Sequence, residues 1–241
     1  MRQHYASEMN APFQRSESNI VVGDTVLKGW LEVPAGTIGI VVFVHGSGSS
    51  RFSVRNNAVA EYLREGHLGT LLFDLLTSDE ERIDSVTRAY RFDIPLLSGR
   101  LASAISWLSK ESEVVGLPVG LFGSSTGAAA ALIVAARIPN QVAAVVSRGG
   151  RVDLAGDYLN KVEAPTLMIV GGIDHEVLRL NKAARKQLRG MSEITVVDQA
   201  SHLFEEPGAL EQVASLTRDW FVKHLDHRTD TKEPVRTDGG L

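Results

Sequence analysis

A serine flanked by glycines is the residue of this 241-residue chain best suited to act as a nucleophile. Gly123, Ser125 and Gly127 form the pattern G-x-S-x-G between the apolar run PVGLF and the helix-forming run AAAALIVAARI. A hydroxyl that must stand clear of the backbone needs a sharp strand-to-helix turn, and small residues on either side let strand and helix approach closely. The pattern predicts that Ser125 lies at such a turn, near the positive end of the following helix. The alternative is that Ser125 is an ordinary helix N-cap.

A serine hydroxyl is a weak nucleophile at neutral pH, so it needs a base and an acceptor that orients the base. Asp174 follows the apolar run TLMIV, and His202 follows the run ITVVD. The chain order Ser, Asp, His is the order that accompanies a strand–turn–helix nucleophile. Each of the three residues comes just after a predicted strand, which would bring them to one rim of the sheet. We therefore predict that Ser125 is the nucleophile, His202 the base and Asp174 its partner.

Two other carboxylates compete for the role of the acid. Asp153 follows the preceding predicted strand, and Asp198 lies near His202. Asp174 is preferred because it directly follows an apolar run of strand length. His45 is interpreted as a structural residue that orients the loop in which it lies.

Backbone N–H groups are expected to stabilise the negative charge that develops on the substrate oxygen. The apolar run TIGIVVFV leads into HGSGSS, whose glycines allow N–H groups to face a carbonyl. The predicted oxyanion donors are the N–H of Ser47 and the N–H of Thr126, the residue after the nucleophile. Side-chain substitution at either donor should therefore cost less activity than substitution of Ser125.

Short β-branched runs alternate with stretches of helical period, which predicts an α/β fold. The predicted strands are residues 18–22, 25–33, 37–44, 68–73, 118–122, 142–147, 166–170 and 193–197. Strand and helix alternate from residue 37 onward, which predicts a mostly parallel sheet with helices on both faces. The first two strands are close enough in sequence to pair antiparallel at an edge. We expect residues 1–17 to be an N-terminal extension, 18–225 the folded domain, and 226–241 a disordered polar tail.

The composition excludes several classes of protein. The chain has no cysteine, which rules out disulfides, thiolate metal sites and cysteine nucleophiles. A net charge of −4 without basic runs argues against nucleic-acid binding. The apolar runs are too short for a membrane span, and residues 1–20 show no export signal, so a cytoplasmic location without membrane partners is expected. Nucleotide-binding glycine loops and H-E-x-x-H are absent, so neither cofactor nor metal is predicted.

The motifs HGSGSS, GSSTG, GGID and SH, in this order, resemble the α/β-hydrolase superfamily. The short layout, without a large cap domain, most resembles its dienelactone-hydrolase-like branch. The resemblance implies an eight-stranded, mostly parallel sheet, the triad Ser125, Asp174 and His202, and hydrolysis of an acyl bond without a cofactor. Dienelactone hydrolase itself has a cysteine nucleophile, whereas this chain carries a serine, which indicates carboxylesterase chemistry instead.

The predicted substrate is a small soluble ester. Residues 148–165 are too few for a helical cap, whereas the charged insertion 75–95 predicts a partial lid with its own short helix. Arg148 and Arg151 follow a strand and are candidates to bind a substrate carboxylate. A thioesterase, lactonase or acyl peptidase would use the same triad. A non-catalytic binding protein of the same fold is the alternative from another class. The oligomeric state is not predicted.

Overall fold

Eight strands form one sheet in the computed structural model, which describes residues 16–226. The strands are β1 (Ser16–Val22), β2 (Thr25–Glu32), β3 (Gly39–Val44), β4 (Leu68–Phe73), β5 (Val119–Ser124), β6 (Ala144–Arg148), β7 (Thr166–Gly171) and β8 (Ser192–Val197). Their order across the sheet is β1-β2-β4-β3-β5-β6-β7-β8. β1 and β2 pair antiparallel at one edge, β2 also runs antiparallel to β4, and the other pairs are parallel. The α/β-hydrolase fold expected from the motifs is therefore present.

The described residues include six α-helices, and all of them except α2 pack against the two faces of the sheet. They are α1 (Val54–Glu65), α2 (Ser78–Thr87), α3 (Ile94–Leu108), α4 (Thr126–Arg137), α5 (His175–Arg185) and α6 (Ala209–Leu225). Two 3-10 segments, Pro139–Gln141 and Val152–Lys161, complete the list. α2 is the short helix expected in the 75–95 insertion, and the residues between β6 and β7 form a 3-10 segment rather than a cap.

The two faces of the sheet bury separate hydrophobic clusters. Alternate residues of the central strands point to opposite faces: Val42 and Leu121 pack towards α3 and α4, whereas Phe43 and Phe122 pack towards α1 and α6. Because both faces are covered, β3 and β4 are buried along their whole length, which explains why they read as continuous apolar runs.

The helices α1 and α2 begin at side chains that cap their first turns. The hydroxyl of Ser53 accepts a hydrogen bond from the N–H of Asn56 at the start of α1. Thr77 and Glu80 form a reciprocal capping box at the start of α2. These caps fix the points at which the chain leaves the rim of the sheet.

The ends of the chain lie outside the part that the structure describes. β1 begins at Ser16, so two residues of the expected N-terminal extension belong to the sheet. The remainder of that extension, and residues 227–241 of the expected tail, lie outside the described residues. Within residues 16–226, no helix combines the length and apolar character that a membrane crossing requires.

Candidate active site

Ser125 lies at the sharp turn between β5 and α4, in a backbone conformation that is unusual for a residue with a side chain. Its φ and ψ angles are 50° and −121°. Such a conformation costs about 1–3 kcal/mol and is characteristic of functional sites. Ser125 remains partly exposed, whereas its neighbours Ser124 and Thr126 are buried. The turn therefore presents the Ser125 side chain at the carboxyl-end rim of the sheet.

Three glycines allow the backbone to pack closely around Ser125. A Cβ atom on Gly123 would lie 2.5 Å from Cα of Ala128. A Cβ atom on Gly127 would overlap the carbonyl oxygens of the last residue of β3 and the residue after it. A Cβ atom on Gly46 would lie 2.9 Å from Cβ of Ser125. The glycines of G-x-S-x-G are thus required by the contacts between β5, α4 and the loop after β3.

His202 and Asp174 are joined by a short hydrogen bond. Nδ1 of His202 lies 2.6 Å from Oδ2 of Asp174. Asp174 lies three residues after the end of β7 and is largely buried, whereas His202 lies in the loop between β8 and α6 and is more exposed. A carboxylate at Nδ1 favours the tautomer with the proton on that nitrogen and leaves Nε2 free to accept a proton.

The loops that carry Asp174 and His202 are bonded to each other. The N–H of Ile173 donates to the carbonyl of Ala200, at 3.1 Å. Gly171 makes this approach possible, because a Cβ atom there would overlap the carbonyl oxygen of Ala200. Phe204, buried in the cluster beneath α6, anchors the loop beyond His202. The position of the imidazole relative to the carboxylate is therefore fixed by backbone contacts.

The loop after β6 contacts both Ser125 and His202. The N–H of Ser125 donates to the carbonyl of Arg148 at 3.2 Å, and the N–H of Arg151 donates to the carbonyl of Ser125 at 2.9 Å. The ring of His202 lies against Gly149, where a Cβ atom would be 3.4 Å from Nδ1. This loop holds the serine and the histidine on one part of the rim.

The two rival carboxylates are placed elsewhere. Asp153 accepts two hydrogen bonds from the guanidinium of Arg151, at 2.9 and 2.8 Å. Asp198 has an exposed side chain. Asp174 is the carboxylate that the structure brings to His202.

The loop formed by residues 45–50, here called the oxyanion loop, differs in one respect from the expectation. The N–H of Ser47 already donates to the side-chain oxygen of Thr126, at 3.0 Å. The Ser47 hydroxyl lies 3.0 Å from the same Thr126 oxygen and donates to the carbonyl of Arg91. Thr126 is the first residue of α4, so its own N–H has no partner within the helix. The two expected donors, the N–H groups of Ser47 and Thr126, therefore lie on neighbouring residues. The N–H of Ser47, however, already donates to the Thr126 hydroxyl.

The two arginines predicted to bind substrate, Arg148 and Arg151, differ in their burial and in their hydrogen-bond partners. Arg151 is paired with Asp153, whose hydrogen bonds raise the pKa of the Arg151 guanidinium. Arg148 is buried at the end of β6, and its Nη1 has no hydrogen-bond partner within residues 16–226. Arg148 therefore remains a candidate for binding an anion. Arg151 keeps its charge, but Asp153 already serves as its counter-ion.

A cavity of about 240 Å³ lies between the oxyanion loop and α2. Polar side chains dominate its wall, and Asp84 and Arg91 pair with each other across one side. Sequence reasoning missed both residues, because a salt bridge within a charged insertion leaves no periodic signal. It also missed Arg55 of α1, which binds Glu205 from the loop before α6.

Comparison with known proteins agrees with the fold and the motifs. Residues 101–205 match the family described as BAAT / Acyl-CoA thioester hydrolase C terminal. A curated protein of Mycobacterium tuberculosis named "Putative phosphoribosyl transferase" is 55% identical over 214 residues, or 89% of this chain and 47% of that protein. The chain thus spans about half the length of the curated relatives it matches.

Solved structures provide the more complete match. An esterase from Pyrococcus furiosus is 18% identical with a TM-score of 0.71, covering 88% of this chain and 92% of its own, which is a likeness of fold alone. A dienelactone hydrolase from Anabaena variabilis is 52% identical with a TM-score of 0.87, covering 88% of this chain and 98% of its own. At that identity and coverage, the chain belongs to the dienelactone-hydrolase-like branch of the α/β-hydrolase superfamily.

Proposed function

We propose that this chain is a serine hydrolase that cleaves small carboxylic esters through Ser125, His202 and Asp174. The observation that carries the proposal is the 2.6 Å contact between His202 Nδ1 and Asp174 Oδ2. That contact lies on the same rim as the strained turn at Ser125. Serine hydrolases of unrelated folds share an imidazole that is oriented by a carboxylate and reaches the serine hydroxyl. The hydrogen bonds of residues 16–226 include the contact between His202 and Asp174 but none between His202 and Ser125, so the proposal requires that contact to form when the substrate binds.

The proposed reaction proceeds in two acyl-transfer steps. Nε2 of His202 takes the proton from the Ser125 hydroxyl while Oγ attacks the acyl carbon, forming a tetrahedral oxyanion. The intermediate collapses as His202 returns the proton to the leaving alkoxide, which leaves an acyl-serine ester and releases the alcohol. His202 then deprotonates a water molecule that attacks the acyl carbon, and the carboxylic acid departs as Ser125 recovers its proton. Asp174 stabilises the imidazolium in both steps.

The oxyanion would be bound by the N–H groups of Thr126 and Ser47. The N–H of Thr126 is free of helical partners, and that of Ser47 donates to the Thr126 hydroxyl in the resting protein. An oxyanion is a stronger acceptor than a neutral hydroxyl, so we propose that Ser47 exchanges one acceptor for the other as charge develops. The loss of one such donor in other hydrolases reduces turnover about 10²- to 10³-fold.

The cavity beside the oxyanion loop supports a small, polar substrate, and its lining includes Ser47 but not Ser125, Asp174 or His202. The cavity there has a volume of about 240 Å³, and serine, aspartate, glutamate and arginine side chains form much of its wall. α2 covers it, and no helical cap is inserted between β6 and β7.

A thioester hydrolase is the second candidate, because the matched family is described by acyl-CoA thioester hydrolysis. The same three residues would act, and only the leaving group would change from an alkoxide to a thiolate. A matched pair of substrates with the same acyl group, one an oxygen ester and one a thioester, distinguishes the two activities. A higher kcat/KM for the thioester would favour this second candidate.

A fluorophosphonate probe tests the proposed nucleophile directly. We expect the probe to label the native protein and the Asp153→Asn variant, and to leave Ser125→Ala unlabelled. Asp174→Asn should keep the fold but lower kcat by about 10³- to 10⁴-fold, because the imidazole would adopt the wrong tautomer. Asp153→Asn is the matched control, since that carboxylate pairs with Arg151 instead of His202. Labelling that persists in Ser125→Ala, or equal losses in the two asparagine variants, would contradict the proposal.

A further inference from the structure

Asn181 is a polar side chain on the buried face of α5. Its exposed fraction is 0%, and the other buried residues of the helix, Val177 and Ala184, are apolar. Nδ2 of Asn181 donates to the carbonyl of Val177 within the helix and to the carbonyl of Gly150 in the loop after β6, both at 2.8 Å. Burial of an amide is costly unless it is hydrogen-bonded, so a polar residue at this position requires an explanation.

The hydrogen bond within α5 does not explain why an asparagine occupies this position. In α6, the buried Thr217 makes the same contact one turn back, its hydroxyl donating to the carbonyl of Val213 at 2.7 Å. Oδ1 of Asn181 has no hydrogen-bond partner among the described residues, a cost that a threonine would avoid. A threonine would therefore satisfy the helix, but its shorter side chain would not reach Gly150. The contact with the loop is what asparagine adds.

Gly150 lies in the middle of a loop that contacts two residues of the proposed triad. On one side of it, Gly149 lies against the ring of His202, where a Cβ atom would be 3.4 Å from both Nδ1 and Cε1. On the other side, the N–H of Arg151 donates to the carbonyl of Ser125, at 2.9 Å. A displacement of Gly150 would therefore reach both the imidazole and the turn that carries the nucleophile.

The helix that carries Asn181 begins at the third residue of the proposed triad. Asp174 is the N-cap of α5, and its Oδ2 lies 2.6 Å from Nδ1 of His202. Asn181 lies about two turns further along the same helix. Its hydrogen bond to Gly150 thus joins the helix that carries the carboxylate to the loop that contacts the serine and the histidine.

We propose that Asn181 is a positioning residue, whose hydrogen bond to Gly150 holds the loop after β6 at the spacing that lets Nε2 of His202 reach the hydroxyl of Ser125 when the substrate binds. This inference rests on the proposed function and identifies a residue that aligns its site from the interior. Asn181 is fully buried, so it acts through Gly150 and not by contact with the substrate. Misplacement of the reacting groups by about 1 Å can cost about 10²-fold in rate, even when the mutation lies away from the chemistry.

Two substitutions separate the hydrogen bond to the loop from the one within the helix. Asn181→Thr keeps a donor for the carbonyl of Val177 but does not reach Gly150, and Asn181→Leu keeps neither contact. We expect both variants to lower kcat/KM for p-nitrophenyl acetate by about tenfold or more, per active site titrated with a fluorophosphonate. Thr217→Val is the control, because it removes a buried hydrogen bond from α6 and should leave kcat/KM unchanged. Native kcat/KM in Asn181→Thr, or an equal loss in Thr217→Val, would overturn the proposal.

Amide hydrogen exchange in Ser125→Ala separates this inference from the proposed function, because it requires no catalysis. In that background, Asn181→Thr should increase exchange in residues 149–151 by about fivefold, which corresponds to the loss of one hydrogen bond, and should leave β3 and β5 unchanged. If Asn181→Leu fails to fold, Asn181→Thr provides both readouts. Unchanged exchange in residues 149–151 would overturn the inference and leave the proposed function intact. A native protein that the fluorophosphonate does not label would instead overturn the proposed function, whatever the exchange shows.

Discussion

At the scale of single residues, His45 connects the oxyanion loop to the loop after β4. Its Nε2 accepts a hydrogen bond from the N–H of Leu75 at 2.9 Å, and its Nδ1 lies 3.0 Å from the carbonyl of Gly46. Both contacts are satisfied together only by a neutral ring with its proton on Nδ1. Burial lowers the pKa of His45, more than the contacts with Gly46 and Asp74 raise it. His45 therefore positions the loop of the expected oxyanion donor and does not itself react.

The buried His45 predicts a pH dependence of stability. Its pKa in the folded protein lies below the ordinary value of 6.5, so the unfolded chain binds more protons as the pH falls below that value. The free energy of unfolding should therefore decrease from about pH 6.5 downward, by at most about 1.4 kcal/mol per pH unit for one proton. Urea unfolding between pH 7.5 and 5 should show this slope in the native protein and a flatter one in His45→Gln.

His224 is the matched comparison for this measurement. Burial and the neighbouring Lys223 also lower its pKa, so His224→Gln should remove part of the same slope. Carboxylates with lowered pKa values, such as those of Asp84 and Glu80, also reduce stability as the pH approaches their ordinary values of 3.8 and 4.5. The native protein and both histidine variants share this contribution, so it cancels when their slopes are compared. A slope in His45→Gln as steep as that of the native protein would contradict the assignment of the effect to His45.

At the scale of elements, α2 is attached to the oxyanion loop through Asp84 and Arg91. The carboxylate of Asp84 accepts hydrogen bonds from the N–H groups of Tyr90 and Arg91 and from Nε of Arg91, at 2.8, 2.9 and 2.7 Å. Burial alone would raise the pKa of Asp84, but these hydrogen bonds outweigh it and hold the pKa below its ordinary value. The carbonyl of Arg91 in turn accepts from the hydroxyl of Ser47. A charged network thus joins the end of α2 to a residue of the expected oxyanion hole.

Substitution of Asp84 should destabilise α2 and the loop after it more than the rest of the fold. We expect Asp84→Asn to lower the free energy of unfolding by about 2 kcal/mol, because it weakens buried hydrogen bonds to a charged group. Amide hydrogen exchange should increase in residues 77–93 in particular. Asp79→Asn is the control, since the pair of Asp79 with Arg82 is exposed and such pairs contribute about 0–1 kcal/mol. Uniform exchange changes across the sheet, or equal effects of the two substitutions, would contradict this role of Asp84.

At the scale of the whole molecule, the close approach of α4 to β3 sets the position of the nucleophile. Gly127, in the first turn of α4, lies against the carbonyl oxygens of Val44 and His45, where a Cβ atom has no room. α4 is buried along almost its entire length, so it cannot shift outward without opening the hydrophobic core. Ser125 is therefore located by the packing of the central helix against the central strands.

This packing predicts a large difference between two glycine-to-alanine substitutions. Gly127→Ala should lower the free energy of unfolding by about 3 kcal/mol, because it forces the helix and strand apart. Gly99→Ala, in α3, should raise it by about 0.5–1 kcal/mol, because a Cβ atom there meets nothing within 4 Å and alanine favours the helix. Urea unfolding of the two variants measures both values. Similar free energies of unfolding for the two variants would contradict the close approach of Gly127 in α4 to the end of β3.

Much of the architecture could be predicted because its signals are local. The eight strands appear in the sequence as short apolar runs, and the turn at Ser125 appears as glycines around a serine. The predicted ends of the strands differ from the observed ones by a few residues. β6 begins at Ala144, two residues after the predicted start, because a 3-10 turn precedes it. The length of an apolar run is encoded locally, whereas the point at which pairing begins depends on the neighbouring strand.

The amino-acid sequence by itself determined the fold class and the three candidate residues, since each is read from its own neighbours in the chain. Only the tertiary structure decided which carboxylate meets His202, that the N–H of Ser47 donates to Thr126, and that Nη1 of Arg148 has no hydrogen-bond partner among the described residues. Asp153 and Asp174 occupy similar places in the chain, and Arg148 and Arg151 are three residues apart. They are separated by contacts with residues distant in sequence. Pairing and burial are properties of three-dimensional neighbours, which no local pattern of residues specifies.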